Sequence, residues 1–427
     1  MPLIPLDLPA GIYRNGTDLQ SQGRWRDSNL VRWHDGTMQP IQGWRLRSDS
    51  ATANITRSLS AWLDNSDNRW IAAGTYRKLY IYDVNSALYD ITPTGLTVGT
   101  ETSIDATAFG GGVYGSDGYG EPRLERSTGN PATTWSLDTF GQNLVACSSS
   151  DGKIYQWTLS TSTIAAQVTN APVGNAGIMV TDERFLFALG AAGNPRKVQW
   201  CDRENNTLWT PAATNEAGSI ELQTVGRIQC GVKVQNQALI LTTTDAHTAT
   251  YSGPPYVYGI ERVGTSCGIV SAQGVAVVDM GAVWMGKESF FMYSGGTVKE
   301  LECDVADYLY SDINVSQMAK VVAVSNAKFS EIRWFYPSDD NTENNRYVSF
   351  NYQENTWTIG QLARTAGVDA GVYRYPIYAD PTNKKIYEHE VGFNYDNLIP
   401  FAESGPIMIG SGENIASITQ LIPDERN

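Results

Sequence analysis

The stretch AVWMGKESFFMYSGG at residues 282–296 decides the fold. Two short apolar runs flank the polar residues KES, and the second run ends at a Ser-Gly-Gly turn. Apolar runs of this length, rich in aromatic and β-branched residues and bounded by turn residues, are typical of buried β-strands. The stretch therefore predicts a β-hairpin that is covered on both faces.

The same paired unit recurs over three hundred residues. Six further copies lie at residues 70–82, 144–157, 185–202, 239–251, 332–352 and 376–387. An aromatic residue stands at or near the end of the second run in each unit: Tyr82, Trp157, Trp200, Tyr251, Tyr293, Tyr352 and Tyr387. The mean interval between these residues is about 51, and a four-stranded propeller blade takes roughly 40 to 50 residues. Helical periodicity is confined to a few turns around residues 305–312, so the chain is predicted to be an all-β, six- to seven-bladed β-propeller.

Composition divides the chain into three predicted parts. Residues 51–400 carry the propeller pattern, interrupted at about 99–131 by a Gly-rich insertion of the kind that forms surface excursions or assembly contacts. Residues 1–50 mix Arg and Trp beside tight turns and predict an N-terminal β-rich docking segment. Residues 401–427 predict a C-terminal strand segment. The pattern leaves open whether the ring of blades closes through the amino-terminal segment or through residues beyond Asn427.

Charge and composition exclude several classes of protein. The 427 residues carry 31 Lys and Arg against 45 Asp and Glu, a formal net charge of −14, and residues 301–427 hold 18 of the acids but only 9 of the bases. This balance argues against a dedicated binder of the phosphate backbone, although an acidic surface can repel DNA, bind cations or maintain solubility. There is no apolar run of membrane-spanning length, the first residues do not predict a secretory signal, and 41% hydrophobic residues argue against disorder.

A search for chemistry finds no active site in the sequence. The five cysteines are too far apart for a zinc knuckle, and they are predicted to be buried reduced thiols of a protein made in a reducing cytoplasm. The acid pairs Asp182-Glu183 and Asp202/Glu204 lie next to turns, where such residues are ordinary. Residues 339–345 (DDNTENN) have oxygen ligands at alternate positions but lack the central Gly of a calcium loop. No catalytic residue, metal ligand or cofactor is therefore predicted.

The amino-terminal residues carry a resemblance to a known family. Residues 2–17 (PLIPLDLPAGIYRNGT), 24–33 (RWRDSNLVRW) and 39–44 (QPIQGW), with 403–410 (ESGPIMIG) near the end, resemble the tail nozzle proteins of short-tailed bacteriophages. These are also called tail tubular protein B, or packaged-DNA stabilisation or tail hub proteins. The resemblance is specific over about the first 45 residues.

The resemblance implies a structural virion protein made in the bacterial host cytoplasm and built into the virion tail. It implies a homohexameric ring below the portal and adaptor proteins that retains packaged double-stranded DNA and conducts it at ejection. Adaptor or portal-side proteins, tail fibres or spikes, and the host cell envelope are the implied partners. An acidic channel wall would suit this role, because DNA would slide along it instead of binding.

The residues expected to make assembly contacts are of two kinds. Arg and Trp are favoured anchors at protein interfaces, and Gly-rich loops serve as assembly contacts. The expected set is Arg14, Arg24, Trp25, Arg26, Arg32, Trp33, Gly110, Gly111, Gly112, Tyr114 and Tyr119. The opposing interpretation is that the tryptophans belong to the core and the arginines pair with nearby acids.

Two other functions stay open at this point. A glycan-binding or glycan-cleaving tail component, acting in host receptor recognition, would need stacked aromatics and paired acids in a cleft. A cellular propeller scaffold would be a monomer that binds a peptide partner.

Overall fold

The computed structural model describes residues 7–108 and 123–407, and for residues 104–108 and 123–129 it describes the backbone alone. Seven four-stranded antiparallel sheets follow one another along this part of the chain, and their inner strands contact each other in a closed ring. This is a seven-bladed β-propeller, so the predicted fold class is confirmed and the blade number is seven. No helix in the described residues is long and apolar enough to cross a membrane.

Four short strands precede the first complete blade. They are β1 (Trp25–Asn29), β2 (Val31–His34), β3 (Thr37–Pro40) and β4 (Trp44–Leu46). A 3₁₀ helix at Asp18–Ser21 comes before them. Strands β2 and β3 form a hairpin, whereas β4 enters the propeller itself.

Blades 1 to 3 are built from consecutive strands. Blade 1 contains β5 (Thr56–Leu63), β6 (Arg69–Thr75), β7 (Leu79–Tyr82) and β8 (Leu88–Asp90). A separate two-stranded arm follows, β9 (Ile104–Ala108) with β10 (Arg123–Asn130). Blade 2 contains β11 (Trp135–Phe140), β12 (Asn143–Ser148), β13 (Ile154–Trp157) and β14 (Ala166–Gln167). Blade 3 contains β15 (Gly177–Val180), β16 (Leu186–Leu189), β17 (Lys197–Trp200) and β18 (Gly218–Glu221), with a 3₁₀ helix at Ala191–Gly193.

Blades 4 to 7 complete the ring. Blade 4 contains β19 (Ile228–Val234), β20 (Gln237–Thr242), β21 (Asp245–Gly253) and β22 (Val257–Thr265). Blade 5 contains β23 (Val275–Val278), β24 (Gly281–Met285), β25 (Phe290–Ser294) and β26 (Thr297–Leu301). Blade 6 contains β27 (Val322–Asn326), β28 (Glu331–Tyr336), β29 (Arg346–Asn351) and β30 (Thr356–Gln361). Blade 7 contains β31 (Ala366–Val368), β32 (Ile377–Ala379) and β33 (Ile386–His389), and the last strand of the described residues is β34 (Phe401–Ser404).

A few helical turns lie between blades 5 and 6. The helix α1 spans Ala306–Asp312, where the sequence predicts its one helical segment. Two 3₁₀ helices follow, at Val315–Lys320 and Ala327–Phe329.

The aromatic residues that recur in the sequence lie at equivalent places in the seven blades. Each one stands in the third strand of its blade or directly after it, as Trp157 does at the end of β13 and Tyr352 does just past β29. Seven apolar clusters fill the spaces between neighbouring blades, one for each space. Blades are thus covered on both faces, and their second strands consist of continuous apolar runs.

The ring closes through the amino-terminal segment. Strand β4 pairs antiparallel with β33, with Trp44 opposite His389 and Leu46 opposite Tyr387, and becomes the fourth strand of blade 7. Residues 44–46 belong to the range 1–50 but are an integral part of a blade. Closure by joining both chain ends in one sheet is a common device of propellers, because it ties the first and last blades together.

Candidate assembly interface

The amino-terminal segment lies along blade 6 and the spaces on either side of it. The Ile12 amide donates to the carbonyl of Trp357 (2.8 Å), and the Ser28 hydroxyl donates to the carbonyl of Ile359 (2.8 Å). Ile12 and Trp33 join the apolar cluster between blades 5 and 6, while Trp44 joins the one between blades 6 and 7. The segment is therefore part of the folded core of the chain.

Arg32 has the most extensive ion-pair network of this segment. Its Nε donates to Oε1 of Glu331 (2.9 Å) and its Nη1 donates to Oε2 of Glu390 (2.9 Å). The guanidinium also lies 3.7 Å from the centre of the Phe329 ring. Asn326 completes the group by donating its amide to Glu390 (3.0 Å).

The three charged groups stabilise one another away from water. The Arg32 side chain is 1% exposed, and those of Glu331 and Glu390 are 4% and 5% exposed. Burial alone would lower the pKa of Arg32, but the two carboxylates more than offset it, so the pKa lies above its usual value. Removing one partner of such a group leaves uncompensated buried charge, which costs about 3–5 kcal/mol.

Arg32 and Trp33 therefore do not match the expectation that they contact a partner. Trp33 is buried, and its ring packs against Trp25 at 6.3 Å. Both side chains are used inside the chain because they face blade 6, and the opposing interpretation of core tryptophan and paired arginine holds for them.

The other four predicted residues of this segment reach the surface. Arg14, Arg24, Trp25 and Arg26 are each half-buried. Arg14 pairs with Asp27 (3.0 Å), Arg24 pairs with Asp304 (3.4 Å) and Arg26 pairs with Asp18. Partly exposed ion pairs contribute little to stability, and their charges are accessible to a partner.

The Gly-rich part of the predicted interface is not described. Gly110, Gly111, Gly112, Tyr114 and Tyr119 lie outside the described residues. The strands β9 and β10 on either side of them pair antiparallel, so the insertion leaves blade 1 as a two-stranded arm.

Arginines near the start of the chain pair with acids near its end in several places. Arg45 and Arg47 both bind Glu388, at 2.7 Å and 2.5 Å. Arg57 binds Glu343 at 2.6 Å. Together with the ion pairs of Arg24 and Arg32, these contacts neutralise much of the excess of acidic residues in the carboxyl-terminal part of the chain. The sequence did not indicate this role, although Arg45 in β4 and Arg47 directly after it are two residues apart and could have indicated a common acid.

Glu343 also binds a buried lysine. Lys320 Nζ lies 2.8 Å from Oε1 of Glu343, and its side chain is fully buried. Burial, followed by the neighbouring Arg57 charge, lowers the pKa of Lys320 to about 8, although Glu343 acts in the opposite direction.

Strand β34 forms a second layer outside blade 6. It pairs only with β1 in the described part of the chain, with Phe401 opposite Asn29, and β1 in turn lies against β30. Exposed apolar side chains cluster along the stretch that leads into it: Phe393 (70% exposed), Ile399 (71%) and Phe401 (44%). Their exposure could not be predicted from the sequence, because apolar residues beside a strand are expected in a core.

The channel along the propeller axis is narrow and is crossed by a side chain. Residues of all seven inner strands line a cavity of about 440 Å³. Gln273, which precedes blade 5, donates its amide to the Ser58 hydroxyl on blade 1 and to the Trp135 carbonyl on blade 2 (3.1 Å). Further along the channel Lys233 lies 3.8 Å from Asp138, and burial raises the pKa of that carboxyl.

The acids considered as catalytic candidates make local structural contacts. Glu183 accepts the Tyr258 hydroxyl (3.0 Å) and Asp202 accepts the Glu216 amide (2.8 Å), while Glu204 pairs with Arg184 at the surface. In the candidate calcium loop, the Asn345 side chain bonds Ser338 instead of turning toward a common centre.

The prediction that the cysteines are buried thiols holds for four of the five. All five thiols are free, and four of them are buried. Burial raises the pKa of each, to about 12 for Cys230, so these thiols are unreactive.

Comparisons with known proteins give the fold and no family. No protein-family model matches the chain, and no curated protein matches it. Similar solved structures include a streptogramin B lyase (TM-score 0.46, 10% identity, 82% of this chain and 97% of that chain). They also include the Cps50 (Swd1) β-propeller domain of Myceliophteria thermophila (TM-score 0.46, 8% identity, 82% and 99%).

A third similar structure is PorZ of the type-IX secretion system of Porphyromonas gingivalis (TM-score 0.42, 9% identity, 86% of this chain and 40% of that chain). At these identities the similarity concerns the β-propeller fold alone.

Substituting Arg32 tests the role of the buried ion group. We expect Arg32→Met to lower the free energy of unfolding by about 3–5 kcal/mol, because Glu390 would be left buried without a cation and Glu331 would keep only Arg333, at 3.5 Å. Arg45→Met is the matched control: its side chain is 59% exposed, so a loss under about 1 kcal/mol is expected. Urea titration followed by tryptophan fluorescence measures both, and equal losses would contradict the assignment.

Lys320 predicts a pH dependence of stability. Its pKa is about 8 in the folded chain and has its ordinary value near 10.5 in the unfolded chain. The unfolded state therefore binds more protons above pH 8, and stability should rise by about 1 kcal/mol between pH 7 and 9. Comparing wild type with Lys320→Met at both pH values isolates this effect, since the variant should lack it. An identical pH response in the two proteins would refute the prediction.

Proposed function

We propose that this protein is a structural component of a short-tailed bacteriophage virion, where six copies form the tail nozzle ring. The ring would sit below the adaptor and portal proteins, carry or contact tail fibres or spikes, and meet the host envelope at ejection. It would retain packaged double-stranded DNA and then conduct it, with no catalytic step. The resemblance of the amino-terminal residues to nozzle proteins is the origin of this proposal.

The observation that supports it best is the layer outside blade 6. Strands β1 and β34 lie there beyond the four strands that a blade needs, and β34 has no second partner among the described strands. Exposed Phe393, Ile399 and Phe401 lie on or before β34, whose first residue pairs with Asn29, and half-buried Arg24 and Arg26 lie at the other end of β1. Exposed apolar side chains, arginines and an open strand edge are features of surfaces that bind other proteins.

The channel along the propeller axis is too narrow for DNA to pass through it. Gln273 bonds across the channel between blades 5, 1 and 2, and the cavity of about 440 Å³ is of the size of small-molecule pockets. A duplex therefore has no path through a single chain. In the proposed ring the DNA passes through the space enclosed by the six copies.

Charge is compatible with a lumen that does not bind DNA. Much of the carboxyl-terminal acidic excess is paired internally, yet Asp307, Asp339, Asp340, Asp396 and Glu403 are exposed around blades 5 to 7. Exposed carboxylates repel phosphates, and they keep a passing duplex from adhering to the wall.

The mass of the purified chain in solution tests the proposal. Light scattering, with negative-stain images of the same sample, is expected to show six-fold rings with an open centre. Ile399→Asp should weaken association by more than about tenfold, since it would place an unpaired carboxylate in the apolar contact. Val225→Asp is the matched control: Val225 is 95% exposed on a loop before blade 4, away from the outer layer.

Two results would contradict the proposal. One is a monomer at all concentrations examined, with or without the substitutions. The other is a ring that is equally sensitive to Ile399→Asp and Val225→Asp, which would remove the outer layer from the interface.

A further inference from the structure

Two turns from distant parts of the sequence meet beside blade 6 and bring together three metal-binding side chains. His34 and Asp35 lie at the turn of the β2–β3 hairpin, and Glu354 lies at the turn between β29 and β30. One ligand atom from each residue can be chosen so that all three atoms lie within 4.8 Å of one another. His34 Nε2 and Asp35 Oδ2 are already 3.7 Å apart.

A buried amide holds the two turns in register. The Asn351 side chain accepts the backbone amides of Gln353 and Glu354, each at 3.0 Å. It donates to the carbonyls of Trp33 and Phe329, each at 3.3 Å. Because Asn351 binds the residue before His34 and also the residue Glu354 itself, the spacing of these two ligands is built into the core.

The imidazole ring is oriented from the opposite side. Phe329 packs edge-on against His34, with the ring centres 5.4 Å apart and an interplanar angle of 83°. The other two histidines of the chain, His247 and His389, are buried, and burial lowers the pKa of each. His34 is thus the accessible imidazole of this chain.

We propose that His34, Asp35 and Glu354 bind a divalent transition-metal ion of the Zn²⁺ class, with water at the fourth position. Imidazole nitrogen with carboxylate oxygen suits Zn²⁺, whereas Ca²⁺ and Mg²⁺ prefer oxygen ligands alone. Tetrahedral Zn²⁺ with bonds of about 2.0–2.2 Å places its ligand atoms about 3.3–3.6 Å apart. The 3.7 Å pair is close to this spacing, and side-chain rotation of exposed Asp35 and half-buried Glu354 can shorten the other separations, which are within 4.8 Å.

The site has a structural consequence that does not depend on the proposed function. The metal joins the amino-terminal hairpin to blade 6, two residues along β2 from the buried Arg32. A ligand that binds only the folded state stabilises that state. Bound Zn²⁺ therefore raises the unfolding temperature by fastening the segment that carries the closure strand β4.

The test is calorimetric titration of the chelator-treated full chain with ZnCl₂ and, separately, with CaCl₂. We expect one Zn²⁺ per chain, no comparable Ca²⁺ binding, and a higher melting temperature with Zn²⁺. His34→Ala and Glu354→Gln should each raise the Zn²⁺ dissociation constant at least tenfold and abolish the thermal shift. Circular dichroism verifies that the variants fold, and both positions are at surface turns.

Asp67→Asn is the matched control, because Asp67, like Asp35, is an exposed turn residue with positive φ (61° against 51°). This variant should bind Zn²⁺ as the wild type does. Absence of Zn²⁺ binding by the wild type would overturn the proposal. Binding that survives both His34→Ala and Glu354→Gln would overturn it as well, since the ion would then be held elsewhere.

Discussion

The buried Arg32 guanidinium between Glu331 and Glu390 is the interaction on which the closed ring depends. Arg32 is separated from these acids by 299 and 358 residues, so the contact forms only when both ends of the chain are in place. Bringing such distant residues together costs loop-closure entropy before any contact repays it. The buried ion pairs of Arg32 and the packing of Trp44 together offset that cost. Trp44 enters blade 7 as part of β4 and packs in the apolar cluster between blades 6 and 7.

Charge asymmetry along the sequence has a structural explanation in this closure. The amino-terminal arginines and the carboxyl-terminal acids are complementary halves of one contact region, in which Arg24, Arg32, Arg45, Arg47 and Arg57 each meet an acid from beyond residue 300. Only some of the excess acidic residues are therefore unpaired charges on the surface. The carboxylates that are exposed around blades 5 to 7 are the ones available to repel DNA in the proposed ring.

Much of the fold was predictable because it depends on local pattern. Blade spacing follows from aromatic residues such as Tyr82 and Trp200, which occupy the same place in every blade, and the short helix follows from its own periodicity. The burial of Arg32 does not follow from the local sequence, because Glu331 and Glu390, the acids that bind it, lie about three hundred residues away. Gln273 was missed for the same reason, since one glutamine before a strand carries no sign that it spans the axis.

The most direct measurement of the closure is hydrogen–deuterium exchange of the full-length protein, comparing the amides of Trp44–Leu46 with those of Ile386–His389. If β4 is an integral strand of blade 7, both stretches exchange with the same high protection and lose it together as denaturant is added. Fast exchange of Trp44–Leu46 while Ile386–His389 stays protected would contradict the account, because the amino-terminal segment would then be an appendage and not the closing strand.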